Sequence, residues 1–267
     1  VTGDVSVTLS DDDLTQAADT PVRFGGTSTF TVGLGDICLD GGDDTADAIN
    51  DNDLNIVNIV SADVAEIVEF DGFTLNDATL TDRLILETVA GDLGLTGTIV
   101  SPNGLLLISG GAIAQSAGTI DAATLLVDSA GDAVLDQLNS IGTGLPAGVI
   151  AGVSGGDFVV TNTLDTLVGT VTINRKDGTP VSLTGIDALN VKLTALNLLI
   201  NAATTATENI VLDSENGVTQ NADGILKAAG LVLAGEGDFD LTQDNEIGTL
   251  VDPGKFAATV LGSINLT

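Results

Sequence analysis

The sequence predicts an all-β protein that folds as a parallel β-helix, also called a β-solenoid, and three observations support this prediction. Apolar residues two positions apart recur from end to end, which is the alternation typical of strands. A short phrase, Gly-Asp followed by apolar residues at the second and fourth places after the Gly, recurs along the chain. A longer block returns after about a hundred residues. Repeats of short strands and polar turns favour coils that stack on one another.

The alternation of apolar and polar residues defines the individual strands. Examples of the apolar pairs are Val5 and Val7, Phe30 and Val32, Ile37 and Leu39, Val171 and Ile173, and Phe239 and Leu241. Only residues 63–69 and 187–200 have a spacing that also suits a helix, and we divide the second into strands at 189–193 and 196–200. Little helix is therefore expected.

The Gly-Asp phrase predicts strands whose first and third residues point inward. Six of the seven Gly-Asp pairs lead into such a strand, whereas Gly42-Asp43 does not. The six begin at Gly3, Gly35, Gly91, Gly131, Gly156 and Gly237.

The longer repeat decides between solenoid and β-sandwich, since a sandwich shares the strand pattern but need not repeat at this distance. Residues 113–143 return as 218–249, and a partial copy lies at 14–39. We expect one solenoid over 1–267 with repeats at approximately 1–110, 111–215 and a partial 216–267. At about 20 residues per coil, the chain makes roughly 12 coils and a rod on the order of 60 Å long.

Composition excludes several classes of function. The chain has 38 acidic and 7 basic residues, a net charge of −31, no His and one Cys. Such a charge repels nucleic acid and anionic membranes, and we expect neither nucleic-acid binding nor membrane insertion. Without His, and with one Cys, neither a histidine-based catalytic triad nor a multi-cysteine zinc site can form.

At the repeats, the sequence resembles the repeat regions of filamentous-haemagglutinin-like bacterial surface proteins, the large secreted adhesins of two-partner-secretion and autotransporter type. The similar phrases lie at 115–143, at 220–250 and, as a variant, at 16–40, with a companion phrase at 158–171. The resemblance covers about two thirds of the chain. It implies a right-handed parallel β-helix, export from a bacterium and display at the cell surface, and it implies no particular ligand.

Two regions depart from the repeat pattern. Between Gly41 and Leu80, an acidic run and residues 63–69 interrupt the expected regular coils, and 176–180 suits a protruding turn. We expect irregular stacking in both regions.

Acidic clusters are the candidate metal site, because carboxylate oxygens are the ligands that Ca²⁺ prefers. The candidate ligands are Asp43, Asp44, Asp47, Asp238, Asp240 and Asp244. None matches a known calcium-loop spacing, and the alternative is that Asp forms turns and keeps a long rod soluble. Calcium is therefore a possible cofactor, and no other cofactor is expected.

Paired carboxylates raise the possibility of a carbohydrate-active enzyme, because some β-helices are polysaccharide lyases or hydrolases. The nearest arrangements are Asp132 with Asp136 and Asp238 with Asp240, the latter two on the outward face of one strand. Trp and Tyr, which would stack on sugar rings, are absent. We expect no catalytic residues and no enzymatic activity.

The ends of the chain are strand phrases without a polar cap, and open strand edges tend to pair. We expect either a segment of a longer chain or copies that associate end to end. The sequence thus predicts a structural component of an extracellular fibre or adhesin, with a host or matrix glycan or protein as a further partner. The alternatives are a carbohydrate-active β-helix enzyme and a calcium-dependent surface binding module.

Overall fold

Short parallel strands make up the fold. The structure is a computed structural model that describes residues 2–18, 20–40, 52–143, 147–248 and 254–267. These residues form 32 strands and no helix. Accordingly, no helix within the described ranges is long and apolar enough to cross a membrane.

Two long parallel sheets and one hairpin contain all of these strands. Sheet 1 contains β1 (Val5–Thr8), β3 (Arg23–Thr31), β5 (Asp53–Ala62), β7 (Phe73–Leu80), β9 (Leu93–Leu95), β10 (Ile99–Ser101), β12 (Ile113–Gln115), β13 (Ile120–Ala122), β15 (Ala133–Ile141), β17 (Asp157–Asn162), β22 (Asn190–Ala195), β25 (Asn209–Ser214), β28 (Gly230–Glu236) and β31 (Lys255–Leu261). Sheet 2 contains β2 (Leu14–Thr15), β4 (Ile37–Leu39), β6 (Ala65–Glu69), β8 (Arg83–Thr88), β11 (Gly104–Ser109), β14 (Thr124–Ser129), β16 (Gly148–Ser154), β18 (Thr166–Val168), β21 (Ile186–Ala188), β23 (Leu198–Ile200), β24 (Thr204–Ala206), β26 (Gly217–Gln220), β27 (Leu226–Ala228), β29 (Asp238–Leu241), β30 (Glu246–Ile247) and β32 (Ile264–Leu266). The hairpin is β19 (Thr170–Asn174) and β20 (Pro180–Thr184).

The strands stack as the coils of a β-solenoid, as the sequence predicts. Equivalent strands lie about 21 residues apart and build roughly 12 turns. In sheet 2, for example, Leu84 pairs with Leu105, which pairs with Leu125, which pairs with Ile150. We number the coils one to twelve by their principal strand in sheet 2, namely β2, β4, β6, β8, β11, β14, β16, β18, β23, β26, β29 and β32.

The core is a set of aliphatic columns that run along the rod. Leu86, Leu107 and Val127 occupy one column, and all three are fully buried. Each residue packs on its equivalents in the coils before and after, so the apolar area removed from water grows with every coil. Parallel pairing at the same time satisfies the backbone N–H and C=O groups of successive coils. Aliphatic side chains and a few phenylalanines such as Phe30 and Phe158 therefore form the core, and a single cysteine makes an internal disulfide impossible.

All six predicted Gly-Asp strands have the expected orientation. In the phrase at Gly156, for example, Phe158 and Val160 are buried and Val159 between them is half-buried. The strands predicted within 187–200 are also confirmed, because β22 and β23 occupy most of this segment. The alternative of a helix at either ambiguous segment is wrong, since 65–69 is the strand β6.

Irregular stacking between Gly41 and Leu80 is confirmed in part for the residues that the structure describes there, 52–80. β5, β6 and β7 pair in parallel with the coils before and after them. The register shifts twice along the β3–β5 pairing and twice along the β5–β7 pairing, whereas β6 pairs without a shift. The acidic residues of β6 are accommodated because Glu66 points outward to a basic partner and Glu69 is buried among polar groups. Residues 41–51 lie outside the described ranges.

The predicted turn at 176–180 is confirmed, and it is the tip of the hairpin β19–β20. The hairpin does not project into solvent. It folds back over the outer face of sheet 2, where Val171 and Ile173 are buried. We call residues 170–184 the strap.

Candidate functional site

The structure describes three of the six predicted calcium ligands. The three that lie outside the described residues are Asp43, Asp44 and Asp47. The other three are exposed, namely Asp238, Asp240 and Asp244. Among the residues that the structure describes, no three acidic or cysteine side chains are grouped so that they could hold a metal ion.

Asp238 and Asp240 bind the next coil of the protein. The Asp238 carboxylate accepts hydrogen bonds from Ser263 N at 3.0 Å and Ser263 Oγ at 2.7 Å. The hydrogen bond from the Ser263 hydroxyl, and to a smaller extent the one from its backbone N–H, lowers the pKa of Asp238. Asp240 accepts a bond from Asn265 Nδ2 at 3.1 Å. Both carboxylates point outward beside the buried Phe239, as the sequence predicts.

The same arrangement explains much of the aspartate content. At eight positions an Asp carboxylate accepts a hydrogen bond from a backbone N–H of the following coil, over distances of 2.7 to 3.1 Å. The pairs are Asp4 with Thr27, Asp11 with Leu34, Asp13 with Asp36, Asp36 with Val64, Asp77 with Thr98, Asp92 with Ala112, Asp132 with Asp157, and Asp238 with Ser263. Asp is a natural acceptor at turns, where backbone N–H groups lack ladder partners. These carboxylates therefore connect the coils at the corners.

A pair of amide side chains marks each copy of the long repeat. In the central copy, Gln115 Nε2 donates to Asn139 Oδ1 at 2.9 Å, and Asn139 Nδ2 donates back to Gln115 Oε1 at 3.0 Å. The same Asn139 oxygen accepts from Ile120 N at 2.8 Å, and its amide nitrogen donates to Leu135 O at 3.1 Å. We call this arrangement the Gln–Asn clasp.

The clasp recurs with the other two copies. Gln16 pairs reciprocally with Asn52, and Gln220 pairs reciprocally with Asn245. The Asn oxygen again accepts from a backbone N–H, of Val22 or Leu226, and the Asn nitrogen donates to the carbonyl of Leu39 or Leu241. That carbonyl belongs to the last apolar residue of a Gly-Asp strand in all three copies. The central and last copies contain both members of the clasp, whereas Asn52 lies beyond the partial copy at 14–39.

A column of buried hydroxyls lies at one corner of coils four to seven. Thr88, Ser109, Ser129 and Ser154 occupy equivalent positions in successive coils. Each donates to a nearby backbone carbonyl, such as Thr88 Oγ1 to Gly91 O at 2.6 Å and Ser154 Oγ to Gly131 O at 2.7 Å. These corner carbonyls also accept a backbone N–H from the following coil, so the column gives each of them a second hydrogen bond.

Glu69 begins this column in coil three, where it pairs with Thr88. The residue is 1% exposed, and its Oε2 accepts a hydrogen bond from Leu54 N at 3.2 Å. Burial raises the pKa of Glu69 from its ordinary 4.5 to about 8, and the charges of Asp53 and Asp71 add to this effect. Glu69 is therefore a buried carboxylic acid that is protonated over much of the acidic and neutral range.

Cys38 lies in β4 between two buried residues and points to the outer face, as its strand position predicts. Its thiol donates to Asp40 Oδ1 at 3.1 Å. Burial, together with this hydrogen bond and the neighbouring carboxylates, raises the pKa of Cys38 to about 12. The thiolate, which is the reactive form, is strongly disfavoured.

The paired carboxylates do not converge on a cavity. Asp132 binds the backbone N–H of Asp157, and Asp136 accepts a bond from the neighbouring Gln137. A groove of about 470 Å³ along coils eight to twelve is lined by Asp238 but not by Asp240, Asp132 or Asp136. In neither predicted pair does the structure hold two carboxylates across a common groove.

The strap buries an apolar stripe on the outside of the solenoid. Outward-facing residues of coils four to seven form this stripe, namely Ile85, Leu106, Leu126 and Ala151. The inward face of the strap packs on them through Val171 and Ile173, which are 2% and 3% exposed. Gly104 leaves the necessary room, since a Cβ there would lie 3.2 Å from Ile173 Cδ1. The rod thus has a second, external core.

The tip of the strap carries two of the seven basic residues to a group of acidic side chains. Arg175 forms ion pairs with Glu66, at 2.9 Å, and with Glu87. Lys176 pairs with Asp36, and its backbone N–H donates to Glu66 Oε2 at 2.6 Å. Burial opposes the charged form of Arg175, but the hydrogen bonds that its guanidinium donates to Glu87 and Glu66 raise its pKa. The tip therefore joins coils two, three and four by charge.

Sequence analysis did not predict the contact between strap and stripe, although a signal is present. Three neighbouring coils contain apolar triplets in place of alternation, namely Leu84-Ile85-Leu86, Leu105-Leu106-Leu107 and Leu125-Leu126-Val127. A strand that is apolar on both faces must be covered on both faces. The triplets thus indicate that something covers the outer side of these coils.

The fold defines the chain as a β-solenoid repeat protein. No protein-family model, no curated protein and no solved structure matches it.

Proposed function

We propose that this protein is a structural rod, a component of an exported bacterial fibre or adhesin that acts by mechanical reach and by contacts at its ends. The observation that carries the proposal is the parallel stacking of roughly 12 coils around one apolar core in the described residues. A stack of this kind has a fixed length per coil, about 4.8 Å, and resists bending because every backbone layer is bonded to the next.

The described carboxylates support a structural role. Eight of the described aspartates accept a backbone hydrogen bond from the following coil. The groove along coils eight to twelve is lined by Asp165 and Asp238, and each of these carboxylates accepts a hydrogen bond from a side chain of the following coil. An acidic outer surface keeps such a rod dispersed, since like charges oppose side-by-side contact. The resemblance of the repeats to adhesin repeat regions supports export and surface display.

The coil at residues 255–267 supports end-to-end contact. Phe256, Ile264 and Leu266 are in register with the buried Leu231, Phe239 and Leu241, yet they are 48%, 38% and 39% exposed. These side chains extend the interior columns to the surface of the last coil. A further coil, from the same chain or from a second copy, would bury them in the geometry that the rest of the rod already uses.

Electron microscopy of the protein from its native source tests this function, with and without a calcium chelator. Long filaments whose axial repeat is near the rod length, on the order of 60 Å for twelve coils, are expected. Filaments that persist in the chelator would show that contacts between coils are sufficient for assembly. Loss of the filaments in the chelator would show that calcium contributes to assembly. Compact, discrete particles would contradict the structural role.

A further inference from the structure

The strap is a hairpin inserted between β18 and β21, two strands that together occupy the place of one strand in the solenoid. β18 and β21 pair with the two halves of β16, on either side of Ala151. Gly169 N donates to Ile150 O at 3.1 Å, and Gly152 N donates to Gly185 O at 2.9 Å. We call the point where the two ends of the strap meet the neck. A hydrogen bond of 2.8 Å from Gly185 N to Gly169 O closes it. The coil therefore continues across the neck as if the hairpin were absent.

The conformation of the neck depends on glycine at one position. Gly185 has a φ of +77°, which residues with a Cβ rarely adopt, and its ideal Cβ would lie 2.1 Å from Ala203 O. This turn redirects the chain from the strap back into the strand β21. The strap is thus inserted at a defined point, where the turn depends on Gly185.

Ordinary coils of a solenoid contact only their nearest neighbours, so the stack behaves as a one-dimensional chain of interfaces. The strap is different, because it leaves coil eight and contacts coils two to seven. Lys176 reaches Asp36 in coil two, Arg175 reaches Glu66 in coil three, and Ile173 packs beside Gly104 in coil five. The strap thus adds contacts between coils that are not adjacent.

We propose that the strap is a mechanical splint that makes coils two to eight one cooperative body and stops the unzipping of coils from the C-terminal end. This inference depends on the contacts of the strap and not on the proposed extracellular role. Within the described residues, coils nine to twelve lie beyond the strap and are joined by strand pairing between neighbours. They can be removed one at a time.

Coil eight cannot be removed in this way, because its strand is continuous with the strap. A pull on the C-terminal side of the neck, directed along the rod, draws the hairpin lengthwise across coils two to seven. Its apolar and ionic contacts are then loaded together and not in sequence. The same geometry protects the stripe of Ile85, Leu106 and Leu126 from water until the strap is released as a unit.

Single-molecule pulling of the whole chain by its two ends tests the splint. Residues 190–267 should extend first at low force, adding roughly 270 Å of contour length. A distinct peak at higher force should follow when unzipping reaches the strap. Deletion of 170–185, which joins Gly169 directly to Ile186, should remove that peak and let the low-force unzipping continue. A peak that survives this deletion, or its absence from the unaltered chain, would overturn the proposal.

A matched pair of substitutions keeps the test decisive if the deletion prevents folding. Ile173→Asp places a carboxylate against the apolar stripe, whereas Thr172→Asp adds the same charge to the exposed face of the same strand. Ile173→Asp should abolish the peak while Thr172→Asp retains it, with circular dichroism confirming that both variants fold. Equal peaks in the two variants would show that strap packing does not stop unzipping.

Discussion

Arg175 and Glu66 are 109 residues apart in the sequence, yet Nη1 of the guanidinium lies 2.9 Å from the Glu66 carboxylate. The Glu66 side chain is 3% exposed and that of Arg175 is 23% exposed. A carboxylate that has lost so much hydration is stable only with a charged partner. The strap therefore supplies the charged partner that Glu66 needs in coil three, and this ion pair in turn holds the tip of the strap.

Replacing Arg175 with Met should lower the free energy of unfolding by on the order of 3 kcal/mol, because the buried Glu66 carboxylate loses its partner. The measurement is urea denaturation. Lys192→Met, which also removes one positive charge but from an exposed position on β22, is the control and should change stability by less than about 1 kcal/mol. Adding Glu66→Gln to Arg175→Met should recover part of the loss, and a loss equal to that of the control would contradict the pairing.

Glu69 should make stability depend on pH. Its pKa is about 8 in the folded protein against an ordinary 4.5, so the folded state holds this proton more tightly than the unfolded state. The contribution is fully present below about pH 4.5 and declines as pH rises to about 8, by about 1.4 kcal/mol for each unit between the two pKa values.

Glu69→Gln should remove this decline, because the amide is neutral at every pH. The difference in unfolding free energy between the variant and the parent protein should therefore move in favour of the variant between pH 5 and pH 8. Glu208→Gln, at an exposed position, is the control for which the difference should stay constant. A difference that is constant for Glu69→Gln as well would show that Glu69 is ionised throughout.

Asn139→Ala should be among the most destabilising single changes, because the clasp is fully buried at this point. The variant removes the acceptor of Ile120 N, a donor to Leu135 O and the reciprocal partner of the Gln115 amide, and each unsatisfied buried group costs about 1–3 kcal/mol. Asn103→Ala, which removes one exposed bond to Asp82, should cost less than about 1 kcal/mol in the same denaturation experiment. Similar losses for the two variants would mean that water replaces the clasp.

The corner aspartates can be tested for their role as acceptors. Asp132→Ala removes the acceptor of the Asp157 N–H bond and should cost about 1–2 kcal/mol. Asp132→Asn keeps an oxygen in the same place and should cost much less, although it removes the charge. If charge and not hydrogen bonding were the contribution, the two variants would behave alike.

Cys38 should be almost inert to thiol reagents in the folded protein. A pKa of about 12 in place of 9.0 reduces the thiolate population about a thousand-fold at pH 8. Alkylation by iodoacetamide should be correspondingly slow, and it should reach the rate of a free cysteine in denaturant. Fast alkylation of the native protein would contradict the half-buried, hydrogen-bonded thiol.

The coil stack follows from the sequence because alternation and repetition are local signals. Phe158 and Val160 can be assigned to the interior from their own strand. The acidic residues within 63–69 indicate an irregular coil in the sequence, yet β6 pairs without a register shift because Arg175, far along the chain, compensates Glu66. The same limit applies to Asp238 and Asp240, which resemble metal ligands in sequence and cap Ser263 and Asn265 in the folded coil. Long-range partners of charged groups are the part that local patterns do not contain.

The three Gln–Asn clasps do not share one side of the rod. Leu14 and Val218, at the start of the outer copies, lie in sheet 2, whereas Ile113 lies in sheet 1. Every copy nevertheless stacks on its own Gly-Asp strand, beginning at Ile37, Ala133 and Phe239. In the central and last copies the phrase therefore carries both members of the clasp, and it forms the same hydrogen-bond unit in sheet 1 and in sheet 2. Duplication of such a phrase would lengthen the rod by coils whose buried amides bring their own partners.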